Sequence, residues 1–244
     1  MNAQWIVPDW PAPARVRAFV TTRAGGVSEG PYASMNLGTR SGDDPAHVAR
    51  NRLLVREHLP QAPNWLAQCH GIDVIDLDRE GAADRDADAA VTTRVDRVCS
   101  VLTADCLPVL LCDAAGTRVG VAHAGWRGLS AGVLENTVAA LRAQPTEVMA
   151  WLGPAIGPEA FEVGLEVRAA FLSVDAAAEV AFRPHRPGKY LADLYALARL
   201  RLARAGVTRV FGGGFCTWTE TGRFFSYRRE KQSGRMGTFL WIAP

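Results

Sequence analysis

Ten short apolar runs, rich in β-branched residues and separated by turn residues, constrain the fold of this chain more than any other feature. Such runs are typical of strands. They lie at 16–22, 64–68, 72–77, 98–102, 108–112, 118–124, 147–153, 208–214, 224–229 and 238–242. Helical segments interrupt them without a regular alternation. The pattern therefore predicts an α/β or α+β body with mixed sheets, folded as one domain.

Three segments carry helix signals. An acidic cap and Pro45 in the first turn predict a helix over 45–59. A second helix is predicted directly after the glycine-rich loop at 120–128 and ends before Pro145. The third, "KYLADLYALARLRLARAGV", is predicted to stop at Gly206 and carries one apolar stripe made of Leu191, Leu194, Tyr195, Ala198 and Leu202. The polar stretch 79–90 is predicted to be an exposed excursion.

Composition narrows the class of protein. The 244 residues are 48% apolar and carry a net charge of +2 with mixed signs, which suits a globular core and argues against a nucleic-acid surface. The longest apolar run is too short to span a bilayer, and the N-terminus lacks the pattern of a secretory signal, so we expect a cytoplasmic protein. An odd set of five cysteines without a CxxC pair argues against a disulfide framework.

The segment "GVAHAGWRG", residues 120–128, lies between a strand-like run and a helical one. Free backbone N–H groups collect at such a junction and favour an anion. His123 ends the strand and Arg127 starts the helix. The alternative is a tight turn in which Trp126 covers the core and Arg127 forms a surface ion pair.

Two further segments place polar residues between or inside apolar runs. His70 lies in a turn between apolar runs, and Asp105 and Cys106 interrupt an apolar segment that Pro108 is expected to break. Two imidazoles and one thiolate suit Zn²⁺ with a fourth position left for water or substrate. Because the spacing is non-local, unrelated turn histidines with an inert thiol, or a Cys–His nucleophile pair, remain open.

Six motifs carry a family resemblance: "TTRAGGVSEGPYASMNLG", "QCHGIDV", "LTADCLPVLL", "GVAHAGWRG", "GPAIGPEAFEVG" and "CTWTETGRFFSYRREKQSGRMGTFLWI". In this order they resemble the YfiH/PgeF family, formerly called multicopper polyphenol oxidoreductases or laccase-domain proteins. The resemblance runs from about residue 15 to the end. It implies a compact α/β/β/α-layered fold of the CNF-toxin and YfiH type. We expect a single domain over 1–244 whose first 14 or so residues form a peripheral extension.

The same resemblance implies one zinc ion bound by His70, Cys106 and His123, with copper less favoured. It implies phosphorolysis of adenosine, inosine, guanosine and methylthioadenosine, and deamination of adenosine. Some bacterial members are instead linked to peptidoglycan editing, in which an amidase removes a wrongly incorporated serine from a UDP-muramic acid precursor. Zinc lowers the pKa of bound water and supplies hydroxide for attack at C6 of adenine or at an amide carbonyl.

Phosphorolysis also needs cationic groups that hold phosphate. Arg127, Arg23 and Arg228 are the candidates, although structural ion pairing is an equal alternative for the last two. Asn36 either positions substrate or forms a turn. Asp105 is expected to orient a zinc-binding histidine, or else to carry a proton.

The sequence lacks the motifs of several other classes of enzyme. There is no HxE with PCxxC and no Walker or dinucleotide loop. Five histidines are few for a copper polyphenol oxidase, which needs further copper clusters. A remoter alternative is a non-catalytic metal-binding partner of the envelope machinery. We expect a monomer that binds small molecules, and neither nucleic acid nor membrane.

Overall fold

A computed structural model describes residues 5–79 and 86–244. Its strands are β1 (Val16–Val20), β2 (Val74–Asp76), β3 (Ala89–Thr92), β4 (Cys99–Thr103), β5 (Leu107–Asp113), β6 (Val119–Ala124), β7 (Val148–Leu152), β8 (Glu162–Gly164), β9 (Phe182–Pro184), β10 (Lys189–Ala192), β11 (Arg209–Gly212) and β12 (Met236–Ile242). Its α-helices are α1 (Pro45–Arg56), α2 (Trp126–Ala131), α3 (Val133–Leu141), α4 (Leu165–Leu172), α5 (Leu194–Arg204) and α6 (Tyr227–Glu230).

The strands form two main sheets. A six-stranded sheet has the order β11–β7–β5–β6–β3–β2. Its outer pairs, β11 with β7 and β3 with β2, are parallel, whereas the strands between them are antiparallel. A three-stranded antiparallel sheet has the order β1–β12–β4, and β8, β10 and β9 form a small third sheet. The prediction of mixed sheets is confirmed.

Three apolar clusters separate four layers. Leu111 of β5 packs in the cluster between the six-stranded sheet and the helices α3 and α5. Leu110, on the opposite face of the same strand, packs in the cluster between the two main sheets. Phe19 and Val55 belong to a third cluster between the three-stranded sheet and α1. Because β5 is covered on both faces, its sequence is continuously apolar. The α/β/β/α layering is confirmed.

The first described residues pack on the three-stranded sheet. Trp5 stacks on Phe19 with ring centroids 4.8 Å apart, and Ile6 pairs with Val20 of β1. The segment expected to be a peripheral extension therefore contributes Trp5 to the third cluster and Ile6 to the cluster between the two main sheets.

The predicted first helix is confirmed with a slightly earlier end, at Arg56. Asp44 caps it by accepting a hydrogen bond from the backbone N–H of Ala46 at 2.7 Å. The third predicted helix is only partly correct, because its first four residues form β10. Asp193 caps α5 by accepting from Ala196 N–H at 2.9 Å, so the helix starts after it. In the part of the chain that the structure describes, no helix is both long and apolar enough to cross a membrane.

Some predicted strands and loops differ from those in the structure. Residues 64–68 make isolated bridges only, and the strand predicted at 224–229 is a loop followed by α6, because Ser226 caps that helix. The predicted excursion at 79–90 is wrong at its end, where Asp88 is buried and Ala89 starts β3. Residues 80–85 of that stretch lie outside the described residues.

Gly132 divides the predicted second helix into α2 and α3. Its backbone has φ 114° and ψ 22°, in the left-handed region that residues with a Cβ atom avoid. Its N–H still donates to the carbonyl of Gly128 at 2.9 Å, which closes α2 before α3 begins.

We predict that Gly132→Ala lowers the free energy of unfolding by about 1–2 kcal/mol, because alanine is strained at this φ. Urea denaturation measures the change. Gly222→Ala is the matched control, since a Cβ atom there meets open space and Gly222 has no left-handed φ. Equal losses in the two variants would contradict the role of Gly132.

Candidate metal centre

The order of the strands brings three polar residues to one end of the six-stranded sheet. Strand β6 lies between β3 and β5 and is antiparallel to both. The end of β6, with His123, therefore lies beside the starts of β3 and β5. Asp88 directly precedes β3 and Cys106 directly precedes β5. The N–H of His123 donates to the carbonyl of Asp88 at 2.7 Å.

Cys106 emerges at a break between β4 and β5, as predicted, but the expected cause is wrong. Pro108 lies inside β5 and pairs with His123, and its carbonyl accepts a hydrogen bond from Gly153 N–H at 2.9 Å. The chain turns instead at Asp105, whose φ is 83°. This turn brings the sulfur of Cys106 to 3.8 Å from Nε2 of His70.

His70 lies in a loop that Asp88 holds. The two carboxylate oxygens of Asp88 accept from three successive backbone N–H groups, those of Cys69 at 3.1 Å, His70 at 3.0 Å and Gly71 at 2.6 Å. These bonds keep His70 at φ 63°, a conformation that costs free energy in a residue with a side chain.

The same carboxylate orients the second histidine. Nδ1 of His123 donates to Oδ1 of Asp88 at 2.7 Å, and both side chains are buried. This bond fixes the tautomer in which Nε2 is free to bind a metal. Burial raises the pKa of Asp88, but its hydrogen bond with His123 and those with the loop outweigh it and lower the pKa to about 2.

The donor atoms of His70, Cys106 and His123 all lie within 4.8 Å of one another. Tetrahedral zinc with bonds of about 2.0 Å to nitrogen and 2.3 Å to sulfur needs donors about 3.4–3.6 Å apart, so a small contraction closes the set. His123 is buried, Cys106 is half-buried and His70 is exposed. The group can therefore bind a metal ion and leave one side open.

The charge of the sulfur favours metal binding, and a metal ion that binds Nε2 of His123 displaces a proton from it. Burial raises the pKa of the Cys106 thiol, but the neighbouring His123 and His70 outweigh it and lower the pKa to about 6. Burial lowers the pKa of His123, whereas Cys106 and Asp88 raise it to about 9. The sulfur is thus held as a thiolate, which is the form that binds metals.

Asp105 does not contact either histidine. Its Oδ1 accepts from the hydroxyl of Thr217 at 2.6 Å, and its Oδ2 accepts from the backbone N–H of Arg228 at 2.7 Å. These bonds hold the turn before Cys106 against the segment that carries α6. The histidine contact expected of Asp105 is made by Asp88 instead. Proton transfer by Asp105 stays a prediction.

The guanidinium groups of Arg23 and Arg228 bind other residues of the protein. Arg23 pairs with Glu230 at 3.1 Å and donates to the carbonyls of Ala33 and Thr221. The side chain of Arg228 donates to the carbonyl of Glu162 at 2.6 Å. Neither arginine lines the cavity described below.

Arg127 and Asn36 do not line the cavity either. Arg127 is exposed in the first turn of α2 and stacks on the ring of Trp126 at 4.4 Å. Asn36 is fully buried, and its Oδ1 accepts from the backbone N–H groups of Gly38 and Arg235, both at 2.9 Å. Asn36 is therefore placed to hold a loop and not to touch a ligand.

A cavity of about 680 Å³ opens beside the metal donors. His70, Cys106 and His123 form part of its wall. Three arginines and two aromatic residues line it as well: Arg40, Arg52, Arg235, Trp65 and Tyr227. None of the described residues in its wall is acidic, so the cavity favours an anionic ligand. Arg40, Arg52 and Arg235 were not predicted from the sequence, because no local motif marks them.

We predict that Asp88→Asn weakens zinc binding by about 10- to 100-fold, because the amide is a poorer acceptor for Nδ1 of His123. Competition with a chromogenic chelator measures the affinity. Asp113→Asn is the matched control: Asp113 is also a buried carboxylate that accepts from backbone N–H groups, those of Thr117 and Arg118, but lies outside the site. Unchanged affinity in Asp88→Asn would refute the assignment.

Known proteins share this architecture. Residues 17–243 match the family described as multi-copper polyphenol oxidoreductase laccase. The chain is 56% identical to the purine nucleoside phosphorylase YfiH of Escherichia coli, over 97% of this chain and 98% of that protein. It is 54% identical to a purine nucleoside phosphorylase of Pseudomonas aeruginosa, over 99% of both chains. The crystal structure of a Neisseria meningitidis protein, 51% identical, superposes with a TM-score of 0.95 and covers 99% of this chain and 100% of its own. With its layered fold and its His–Cys–His group, this chain belongs to the family of multi-copper polyphenol oxidoreductase laccase proteins that includes YfiH.

Proposed function

We propose that this protein is a zinc-dependent purine nucleoside phosphorylase that also deaminates adenosine. The observation that carries the proposal is the opening of the metal-competent group into an arginine-lined cavity of about 680 Å³. This volume lies within the range of about 300–1,000 Å³ of small-molecule sites. The names of relatives that are 48–56% identical support the nucleoside substrate.

Zinc is the proposed ion because two imidazoles and one thiolate suit it and leave a position open. His70, Cys106 and His123 would hold it. When bound, zinc supplies Lewis-acid chemistry at this wall of the cavity. Asp88 contributes indirectly, since it holds the ring of His123 and the loop of His70 in place.

The proposed phosphorolysis breaks the bond between C1′ of the ribose and N9 of the purine. An oxygen of phosphate forms the new bond to C1′, and the purine leaves with the bonding electrons and takes up a proton. The products are ribose 1-phosphate and the free base. The absence of acidic residues from the described cavity wall supports phosphate as co-substrate, because a carboxylate there would repel it.

Deamination uses water in place of phosphate. Oxygen from water replaces the amino group at C6 of adenine, and ammonia leaves. Amide hydrolysis on a UDP-linked peptidoglycan precursor is the alternative activity of the same site, and it releases serine. We also propose that the protein acts as a monomer in the cytoplasm on small-molecule substrates.

We predict that zinc-loaded protein releases hypoxanthine from inosine only when phosphate is present. Chromatography of the free base measures this. Cys106→Ala and removal of the metal with a chelator should each lower the rate at least about 100-fold, because both remove the bound ion. Cys112→Ala, a buried thiol on β5 outside the cavity wall, is the control and should keep the activity. Intact inosine after incubation with protein whose zinc content has been verified would refute the proposal.

We predict that adenosine yields ammonia without phosphate, and that this reaction is also lost in Cys106→Ala. A coupled ammonia assay measures it. Serine release from the UDP-linked precursor, together with inert nucleosides, would replace the proposed function by the amidase. Copper instead of zinc in elemental analysis of the purified active protein would contradict the choice of metal.

A further inference from the structure

Arg235 faces the cavity with unused hydrogen-bonding capacity. Its Nη1 donates to the carbonyls of Ser233 at 2.7 Å and Gly234 at 3.0 Å. Within residues 5–79 and 86–244 its Nε and Nη2 have no hydrogen-bond partner, and its guanidinium forms no ion pair. A cation that burial has partly stripped of water gains free energy when an anion satisfies such groups.

The surrounding loop holds Arg235 in one place. Oδ1 of Asn36 accepts from its backbone N–H at 2.9 Å, and its carbonyl accepts from Leu37 N–H at 3.1 Å. Gly38 passes so close that a Cβ atom there would lie 2.7 Å from Cγ of Arg235. The position of this side chain is therefore built into the fold.

Arg52 adds a second cation to the same wall. Its Nε donates to the carbonyl of Leu37 at 3.0 Å, and its guanidinium lies 3.9 Å from the ring centroid of Trp65. No carboxylate among the described residues pairs with it. Carboxylates do pair with half-buried Arg23 and buried Arg201, which contact Glu230 and Glu135, whereas half-buried Arg118 and Arg228 donate to backbone carbonyls.

Arg235 lines the same cavity as His70, Cys106 and His123. Burial lowers the pKa of Arg235, and the strongest opposing influence on it is the thiolate of Cys106. Both groups line the same cavity. An anion held by Arg235 would therefore lie next to the metal centre, where the proposed reaction needs it.

We propose that Arg235, assisted by Arg52, is the binding site for the phosphate co-substrate. This inference rests on the proposed function for the identity of the anion. It assigns phosphate to Arg235 and Arg52, which the loop at 36–38 positions, and not to Arg127, Arg23 or Arg228. The planar fork of arginine matches two oxygens of a phosphoryl group.

Phosphate binding is tested without turnover, by calorimetric titration of zinc-loaded protein with inorganic phosphate alone. Arg235→Gln should weaken binding by about 10- to 100-fold, because a hydrogen-bonded charge pair is lost. Gly38→Ala should also weaken it, although it removes no charge. Arg199→Gln is the matched control, since Arg199 also donates to two backbone carbonyls but lies outside the cavity wall. Thermal melting of each variant verifies that it folds.

Kinetics supply the second measurement. Arg235→Gln should raise the KM for phosphate by the same factor and leave the KM for inosine within about twofold, whereas Arg127→Gln should change neither. Wild-type phosphate affinity in folded Arg235→Gln, or a raised KM for phosphate in Arg127→Gln alone, would overturn the inference. Binding of UDP but not of inorganic phosphate would overturn it as well.

The two proposals fail in different ways. Phosphate binding that depends on Arg235 in a protein that leaves nucleosides intact would refute the phosphorylase and leave the anion site standing. Phosphate-dependent release of hypoxanthine with an unchanged KM for phosphate in Arg235→Gln would refute the anion site and leave the phosphorylase standing.

Discussion

One buried carboxylate, that of Asp88, determines the geometry of the site. It accepts hydrogen bonds from three successive backbone N–H groups at residues 69–71 and from the ring of His123. An ionised carboxylate without such partners would cost several kcal/mol at this depth, so the four bonds are what make its burial tolerable. A single anion thereby positions two metal-binding side chains that are far apart in sequence and supports a strained backbone at His70.

The parts of the fold that depend on local patterns were predictable. The apolar runs at 108–112 and 118–124 indicated strands, which are β5 and β6, and the acidic cap with Pro45 indicated α1. The three candidate metal ligands were identified from the family motifs, because their spacing alone left other interpretations open. Their proximity is now explained by strand order, which places the end of β6 beside the start of β5.

The remainder depends on contacts that no local pattern encodes. Asp88 lies in a polar stretch that looks exposed, and only the pairing of β3 with β6 buries it. Arg52 looks like a surface residue of an amphipathic helix, and Arg235 looks like a loop residue. The loop after Asn36 turns both towards the cavity through the carbonyl of Leu37 and the side chain of Asn36. Asn36, a candidate for positioning substrate, forms hydrogen bonds with the protein's own backbone.

The position of β12 has a consequence for biosynthesis. This strand is the middle one of the three-stranded sheet, with β1 and β4 on either side, and Arg235 immediately precedes it. Translation delivers His70, Cys106 and His123 long before Arg235 leaves the ribosome. Until β12 has been synthesised, β1 and β4 lack the strand that lies between them. Asn36 likewise lacks its hydrogen-bond partner Arg235, which lies 199 residues later in the chain. A nascent chain therefore possesses every metal donor before it possesses the arginine that completes the cavity.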